Sequence, residues 1–324
     1  MRALEFGSSL AFHIRNFISL RQLSGTDYQS QALLLSYFDR FLSKEQCEDS
    51  RITREIIDRY LQTLSHLTPR VQSNRLCVVR QLCQYLCRAD PLTYIPEPLR
   101  LISSQAAHQP YIFSQSEIAT LLSAAAKLLP MDSLRPLTYQ TLLGLLYSTG
   151  IRIGEALALS LEDFHSAEKR LYIAKGKFRK ARWLPLSTST ALALQEYVDR
   201  RRRLRPRSPD SPLLLNQRSR CLRHSTVNQT FHQLLDHCAI PRDNQIPPRI
   251  HDLRHTFAVH RLLAWYRDGQ DVNARLPWLA TYLGHVDIHS TQVYLRATPE
   301  LTEEVAQRFH DYYCQQIKTN GELS

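Results

Sequence analysis

Three short stretches of this chain hold side chains suited to work on a phosphodiester. Ser148-Thr149-Gly150-Ile151-Arg152-Ile153-Gly154-Glu155 sets an arginine two residues after a glycine. His251-Asp252-Leu253-Arg254-His255 sets a second arginine between two histidines. Leu283-Gly284-His285 is followed, nine residues after the histidine, by Tyr294. Phosphodiester exchange at neutral pH needs an in-line nucleophile, a way to hold charge on the non-bridging oxygens, and a proton for the leaving 5′ oxygen. Arg152 and Arg254 are permanently charged forks that match phosphoryl oxygens. His285 would add a donor to the same oxygens. The phenol of Tyr294 is the candidate nucleophile; free tyrosine titrates near pH ~10, so the positive cluster must activate it. His251 is the candidate that takes or relays its proton. Lys175 is the candidate acid for the 5′ oxygen, with Lys177, two residues on, as its rival. Glu155 lies one turn after Arg152 and would orient its guanidinium. Taken singly, these residues have ordinary readings: a surface ion pair, a turn histidine, a packed tyrosine. The joint arrangement is what points to chemistry.

That chemistry calls for no metal and no cofactor. There is no P-loop and no acidic metal cluster, and His251 and His255 lack the intervening glutamate of the H-E-x-x-H zinc motif.

The elements that must position these residues are mostly helical. Residues 137–148 read as an apolar helix stopped at Gly150 by a left-handed cap, which delivers Arg152 to the entrance of the next helix. Ser114 followed by Glu117 predicts a capped helix start. Leu171-Tyr172-Ile173-Ala174 and Arg182-Trp183-Leu184-Pro185-Leu186 alternate like strands, joined by the basic tip Lys175-Gly176-Lys177-Phe178-Arg179-Lys180. A helix over 188–203 ends in Arg200 to Arg203, with Arg205 and Arg207 beyond, read as phosphate contact or as a solvated loop. Helices are expected at about 225–238, at 252–266 carrying Arg254, at 276–283 and at 290–297. The apolar stripe Leu301, Val305, Phe309, Tyr312 and Tyr313 would pack in its own domain or dock on a neighbour.

The length of 324 residues exceeds one ordinary core and suggests two domains. The formal charge of +11, mostly from arginine, suggests a polyanionic partner. Residues 1 to about 105 read as helical, with apolar spacing over 8–20 and over 26–42 (Leu33, Leu34, Tyr37, Phe38, Phe41) and a threonine cap at Thr53. In 69–88, opened by Pro69, the residues Val71, Leu76, Val79, Leu82, Cys83 and Leu86 form the expected buried face. Arg70, Ser73, Asn74 and Arg75 lie on the other side and are candidates for entering a groove and meeting phosphates. A proline-rich linker runs from about 89 to 110. The seven cysteines, an odd number without framework spacing, suggest a reducing cytosol; Cys83 and Cys87, one helical turn apart with Cys77 near, read as buried structural thiols rather than a metal site, since four ligands at zinc-like spacing are not visible. Arg2, Glu5, His13 and Arg15 interrupt any signal core, and no apolar run reaches the ~18 residues of a membrane span. The expected location is cytoplasmic.

With these residues in view, the chain resembles the tyrosine recombinases, the phage-integrase family. The Thr149–Leu157 stretch is similar to that family's first arginine box, and Ala174-Lys175-Gly176-Lys177 with Arg182–Leu186 is similar to its lysine hairpin. His251–His255 matches its second box, and Leu283-Gly284-His285 with Tyr294 its third. The resemblance implies a mainly α fold with a small β-sheet. It further implies a helical core DNA-binding domain (1–105), a mixed catalytic domain (111–324) and a clamp closed on duplex DNA. It implies strand cleavage and religation through a 3′-phosphotyrosine, serving integration, excision, resolution or transposition. The implied assembly is a homotetramer on two DNA sites, with accessory recombinases as further partners. Two other readings share part of the pattern: type IB topoisomerase-like cleavage without synapsis, and an inactive DNA-binding regulator. The interval from Arg254 to His285, containing Trp265 to Pro277, is long and looks more like recombinases of mobile elements.

Overall fold

A computed structural model of the chain describes residues 4–45, 51–99, 110–174, 181–204, 208, 210–241 and 247–284. The chain divides into two compact units, Met1–Ala107 and His108–Ser324.

Among the described residues the first unit holds four helices: α1 (Ala11–Leu23), α2 (Gln29–Lys44), α3 (Arg54–Thr63) and α4 (Pro69–Leu86). Their apolar stripes meet in one core that includes Ile14, Phe17, Leu35, Phe38, Ile57, Tyr60, Leu82 and Cys83. The Thr53 hydroxyl accepts the Ile56 N–H at 3.5 Å, so α3 starts where its cap predicts. The buried carboxylate of Asp39 on α2 accepts Gly7 N–H at 2.8 Å, Ser8 N–H at 3.2 Å and the Ser8 hydroxyl at 2.5 Å. Those donors just precede α1, so one side chain fixes where α1 begins on α2.

Two apolar residues expected inside lie outside: Leu33 and Val71 are exposed. In the run Leu33-Leu34-Leu35, the residue facing the core is Leu35, because it shares a stripe with Ala32, Phe38 and Leu42. Val71 sits in the first turn of α4, whose buried residues begin at Leu76. Of the three cysteines on and beside α4, Cys83 is buried, Cys87 is half-buried and Cys77 is exposed. Burial pushes the Cys83 thiol up to about 12. The proline-rich stretch begins inside this unit: Tyr94 N–H donates to Ile52 O at 2.9 Å, and Tyr94, Ile95 and Leu99 pack on the helical core.

The second unit holds α5 (Gln115–Ala125), α6 (Arg135–Thr149), α7 (Ile153–Ala158), β1 (Phe164–His165), β2 (Arg170–Ile173) and β3 (Arg182–Pro185). After these come α8 (Thr188–Leu204), α9 (His224–His237), α10 (Asp252–Arg267) and α11 (Val272–Leu283). The strands form an antiparallel sheet in the order β1-β2-β3, with Tyr172 opposite Trp183 and Ile173 opposite Arg182. A mainly helical chain with one small sheet is the fold class that the sequence predicts.

Helix α6 is central, packed against α5, α8 and α10. Its burial runs around the helix, through Tyr139, Leu142, Leu143, Leu145 and Leu146. Ser114 and Glu117 cap α5 reciprocally: the Ser114 hydroxyl accepts the Glu117 N–H at 3.2 Å, and the Glu117 carboxylate accepts the Ser114 N–H at 2.7 Å. The arginine run at the end of α8 is not uniformly solvated. Arg201 is fully buried and donates to Ser211 Oγ at 2.8 Å and Pro212 O at 2.7 Å. It falls on the buried stripe of Leu194, Tyr197 and Val198, so helical periodicity turns this one cation inward.

Gly150 ends α6 at φ 62°. A Cβ there would lie 2.4 Å from Phe257 Cδ1 and 2.9 Å from Leu283 Cδ2. Gly150→Ala therefore meets both a left-handed backbone and a filled space, and is expected to lower stability by about 2 kcal/mol. All three tryptophans, Trp183, Trp265 and Trp278, lie in the second unit. Tryptophan fluorescence in urea reads that unit alone and checks the loss.

Candidate active site

The last three carbonyls of α11 and its cap each take a different arginine. Arg182 Nε donates to Tyr282 O at 3.1 Å, Arg254 Nη2 to Leu283 O at 2.8 Å and Arg152 Nη2 to Gly284 O at 2.9 Å. Helix C-terminal carbonyls lack intrahelical partners and form the negative end of the helix dipole, so cations gather there. Gly284 caps the helix in the left-handed region at φ 69°.

Each arginine arrives on its own element. Arg152 follows the left-handed turn at Gly150 and occupies the N-cap position of α7. Arg254 sits in the first turn of α10, where its Nη1 also donates to Gly150 O at 2.6 Å. At 2% exposure it ties the end of α6 to the end of α11. Arg182 opens β3, opposite Ile173.

A single buried carboxylate binds two of them. Glu155 Oε1 accepts Arg152 Nη1 at 2.9 Å and Arg182 Nη1 at 3.1 Å. Glu155 Oε2 accepts the Arg152 backbone N–H at 3.1 Å and Arg182 Nη2 at 2.9 Å. The expected pairing of Arg152 with Glu155 is present, and the second arginine makes the carboxylate a four-bond hub. Burial alone would push this carboxyl up. The hydrogen bonds and charge of Arg182, joined by those of Arg152, outweigh burial and hold it below the usual glutamate value.

His251 precedes α10 with its ring edge-on to His255, centroids 5.1 Å apart at 85°. It is exposed to solvent, yet neighbouring atoms displace part of its hydration. That desolvation, then the charge of Arg254, pushes its pKa below the ordinary histidine value of 6.5. Arg249 and Arg152 push the same way, against Asp252. Asp252 itself is buried and accepts the Arg249 N–H at 2.7 Å. Among the described residues no three His, Cys, Asp or Glu side chains group as metal ligands do.

Of the residues singled out by sequence, Arg152, Glu155, His251 and Arg254 are brought into one locality. Lys175, Lys177, His285 and Tyr294 lie outside the described residues. In the chain, Lys175 follows Ala174 at the end of β2, and His285 follows Gly284. On α4 of the other unit Arg70 and Asn74 are exposed, and Ser73 and Arg75 are half-buried. The guanidiniums of Arg75 and Arg40 both lie 4.9 Å from the ring centre of Tyr37. The residue that sequence reasoning missed is Arg182. Its signal was the alternation of β3, which puts Arg182 on the same face as the buried Leu184.

A helical unit whose small sheet and helix ends gather arginines in this way has the catalytic fold of the tyrosine recombinases. The chain is similar to the crystal structure of the XerH site-specific recombinase bound to palindromic difH substrate. The TM-score is 0.62 at 21% identity, covering 87% of this chain and 79% of that one. The chain belongs to the phage integrase family, whose sequence profile matches residues 112–300. It is 35% identical over 300 residues to y4rB of Sinorhizobium fredii, named as an integrase/recombinase, covering 91% of this chain and 95% of that protein. It is 31% identical over 278 residues to the tyrosine recombinase XerD of Caulobacter vibrioides, covering 83% of this chain and 85% of XerD. The chain is thus an enzyme of the tyrosine-type site-specific recombinases.

Glu155→Gln is expected to lower stability at neutral pH by about 3 kcal/mol, since it leaves two largely buried guanidiniums without their counter-charge. The folded-state carboxyl titrates below its ordinary value of 4.5. Its stabilisation is therefore complete above that value and lost as pH falls through the depressed one. The wild-type advantage over Glu155→Gln, read from urea midpoints by tryptophan fluorescence, should shrink in that acid range.

Proposed function

We propose that the chain cleaves and rejoins duplex DNA through a covalent bond between Tyr294 and a 3′ phosphate. The observation that carries this reading is the meeting of Arg152 and Arg254 on adjacent carbonyls, Gly284 O and Leu283 O, immediately before His285. Two permanently charged forks from distant parts of the chain thereby meet on the two residues that precede His285 in the chain. Arg152 is the more open of the two, its side chain 23% exposed, so the phosphoryl group enters on its side. In the reaction the Tyr294 oxygen bonds to phosphorus and the bond from phosphorus to the 5′ oxygen breaks. His251 takes the phenol proton, and Lys175, or Lys177 on the same hairpin, protonates the 5′ oxygen. Arg152, Arg254 and His285 hold the charge on the non-bridging oxygens. A 5′ hydroxyl from another strand then reverses the steps onto a new partner, so no external energy source is needed.

Exchange of both strands between two duplexes breaks four strands, and each chain carries one Tyr294. Four copies on two DNA sites are therefore the working assembly, either all of this chain or shared with an accessory recombinase. The helical unit, with Arg70, Ser73, Asn74 and Arg75 on α4, serves as the second DNA-contacting domain. The protein would act in the cytoplasm, and the long interval between Arg254 and His285 favours service to a mobile element.

The direct test is a nicked suicide duplex built from the DNA that flanks the gene. Wild-type protein should give a covalent adduct on a denaturing gel, and Tyr294→Phe should give none; an adduct from that variant would overturn the nucleophile assignment. A second outcome concerns pH. Because the His251 pKa lies below 6.5, the neutral, proton-accepting ring persists into mildly acid solution. Single-turnover cleavage should hold level as pH falls through 6.5 and decline only below it. His251→Gln should lose about 10²-fold in rate together with that acid limb.

A further inference from the structure

We infer that Arg182 is a positioning residue for strand cleavage, an inference that rests on the function proposed above. Of its five N–H donors, three make hydrogen bonds directed inward. Nη1 and Nη2 grip both oxygens of Glu155 at 3.1 and 2.9 Å, and Nε holds Tyr282 O at 3.1 Å. The side chain is 13% exposed, so it faces its own protein more than an incoming phosphate. Its work is done at two places.

The first is Arg152. Glu155 binds the guanidinium and the backbone N–H of Arg152, and Arg182 holds that carboxylate by both oxygens. Without Arg182, Glu155 could turn with Arg152 and the fork would lose its set orientation. The second is the end of α11, where Arg182 holds Tyr282 O next to the carbonyls taken by Arg254 and Arg152. The fit there is close: a Cβ on Gly284 would stand 2.8 Å from Arg182 Nη1 and 2.9 Å from Cζ. One planar side chain thus joins the carboxylate that binds Arg152 to the end of the helix whose cap carbonyl Arg152 also takes. Lysine cannot replace it, because one ammonium on a flexible stem does not present three donors in a fixed plane.

The test uses the full-length protein and the nicked duplex. In Arg182→Ala, single-turnover cleavage at saturating duplex should fall on the order of 10²-fold, the scale of a misplaced reacting group. Duplex affinity, measured in a Tyr294→Phe background, should stay within about threefold. Arg182→Lys should recover little of the rate, and it carries the test if Arg182→Ala fails to give a cooperative urea transition. The deciding comparison is the double variant. If Arg182 acts through Arg152, then Arg152→Ala with Arg182→Ala is no slower than Arg152→Ala alone, to within about threefold. Multiplying losses, a matching loss of duplex affinity, or cleavage by Arg182→Lys and Arg182→Ala within about threefold of wild type would each overturn the inference. Absence of an adduct from the wild-type protein would overturn the proposed function, and this inference with it. A wild-type adduct alongside an unaffected Arg182→Ala would sink this inference alone.

Discussion

Three guanidiniums converge on the C-terminal end of one helix, and the rest of the second unit is arranged to permit it. They come from residues 132, 100 and 29 positions away from their carbonyl partners. Arginines do not lose their charge in proteins, so this gathering is unfavourable in itself. Two features offset the repulsion. The carbonyls of Tyr282, Leu283 and Gly284 present the negative end of the α11 dipole, and Glu155 supplies one full negative charge shared by Arg152 and Arg182. The sum among these groups is still positive, three charges against one. The apolar core of the unit, with α6 at its centre, holds a cationic locus that the same groups in free solution would not keep. An anion is the natural complement of that surplus.

The same field acts on the neighbouring titratable group. Partial loss of water and the charges of Arg254, Arg249 and Arg152 disfavour a proton on His251. The arginines that make this locus cationic therefore add to desolvation in favouring the neutral form of the imidazole beside them. Glu155 is governed by the opposite sign: surrounded by cations, it stays ionised despite burial, and its four hydrogen bonds require that form.

Local features were legible in the sequence because their causes are local. Gly150 reads as a left-handed cap because few other residues accept that backbone cheaply. Thr53, and Ser114 with Glu117, read as caps because donor and acceptor lie within one turn. The link from Arg152 to Glu155 was visible for the same reason. Arg182 was not, since its partners lie 27 and 100 residues away and one of them is a main-chain carbonyl, which leaves no mark on sequence. Runs of like residues hid detail in another way. The arginines at the end of α8 look equivalent until a 3.6-residue period turns Arg201 inward, and Leu33 looks like Leu35 until the stripe through Ala32 and Phe38 is drawn. Composition tells how many such residues there are; only the packed neighbours tell which one is inside.

The graded exposure of the three arginines follows from the demands on each. Arg254, at 2% exposure, bridges the ends of α6 and α11, so its place is set before any ligand arrives. Arg182, at 13%, directs three donors inward. Arg152, at 23%, is clamped by Glu155 on one side and Gly284 O on the other, and keeps the most open face. A fork fixed at its back and open at its front would need little rearrangement to meet an anion. Preorganised donors are worth more than donors that must be turned into place during reaction. What sets Arg152 apart from an ordinary surface arginine is less its charge than the two acceptors, Glu155 and Gly284 O, that hold its guanidinium in place.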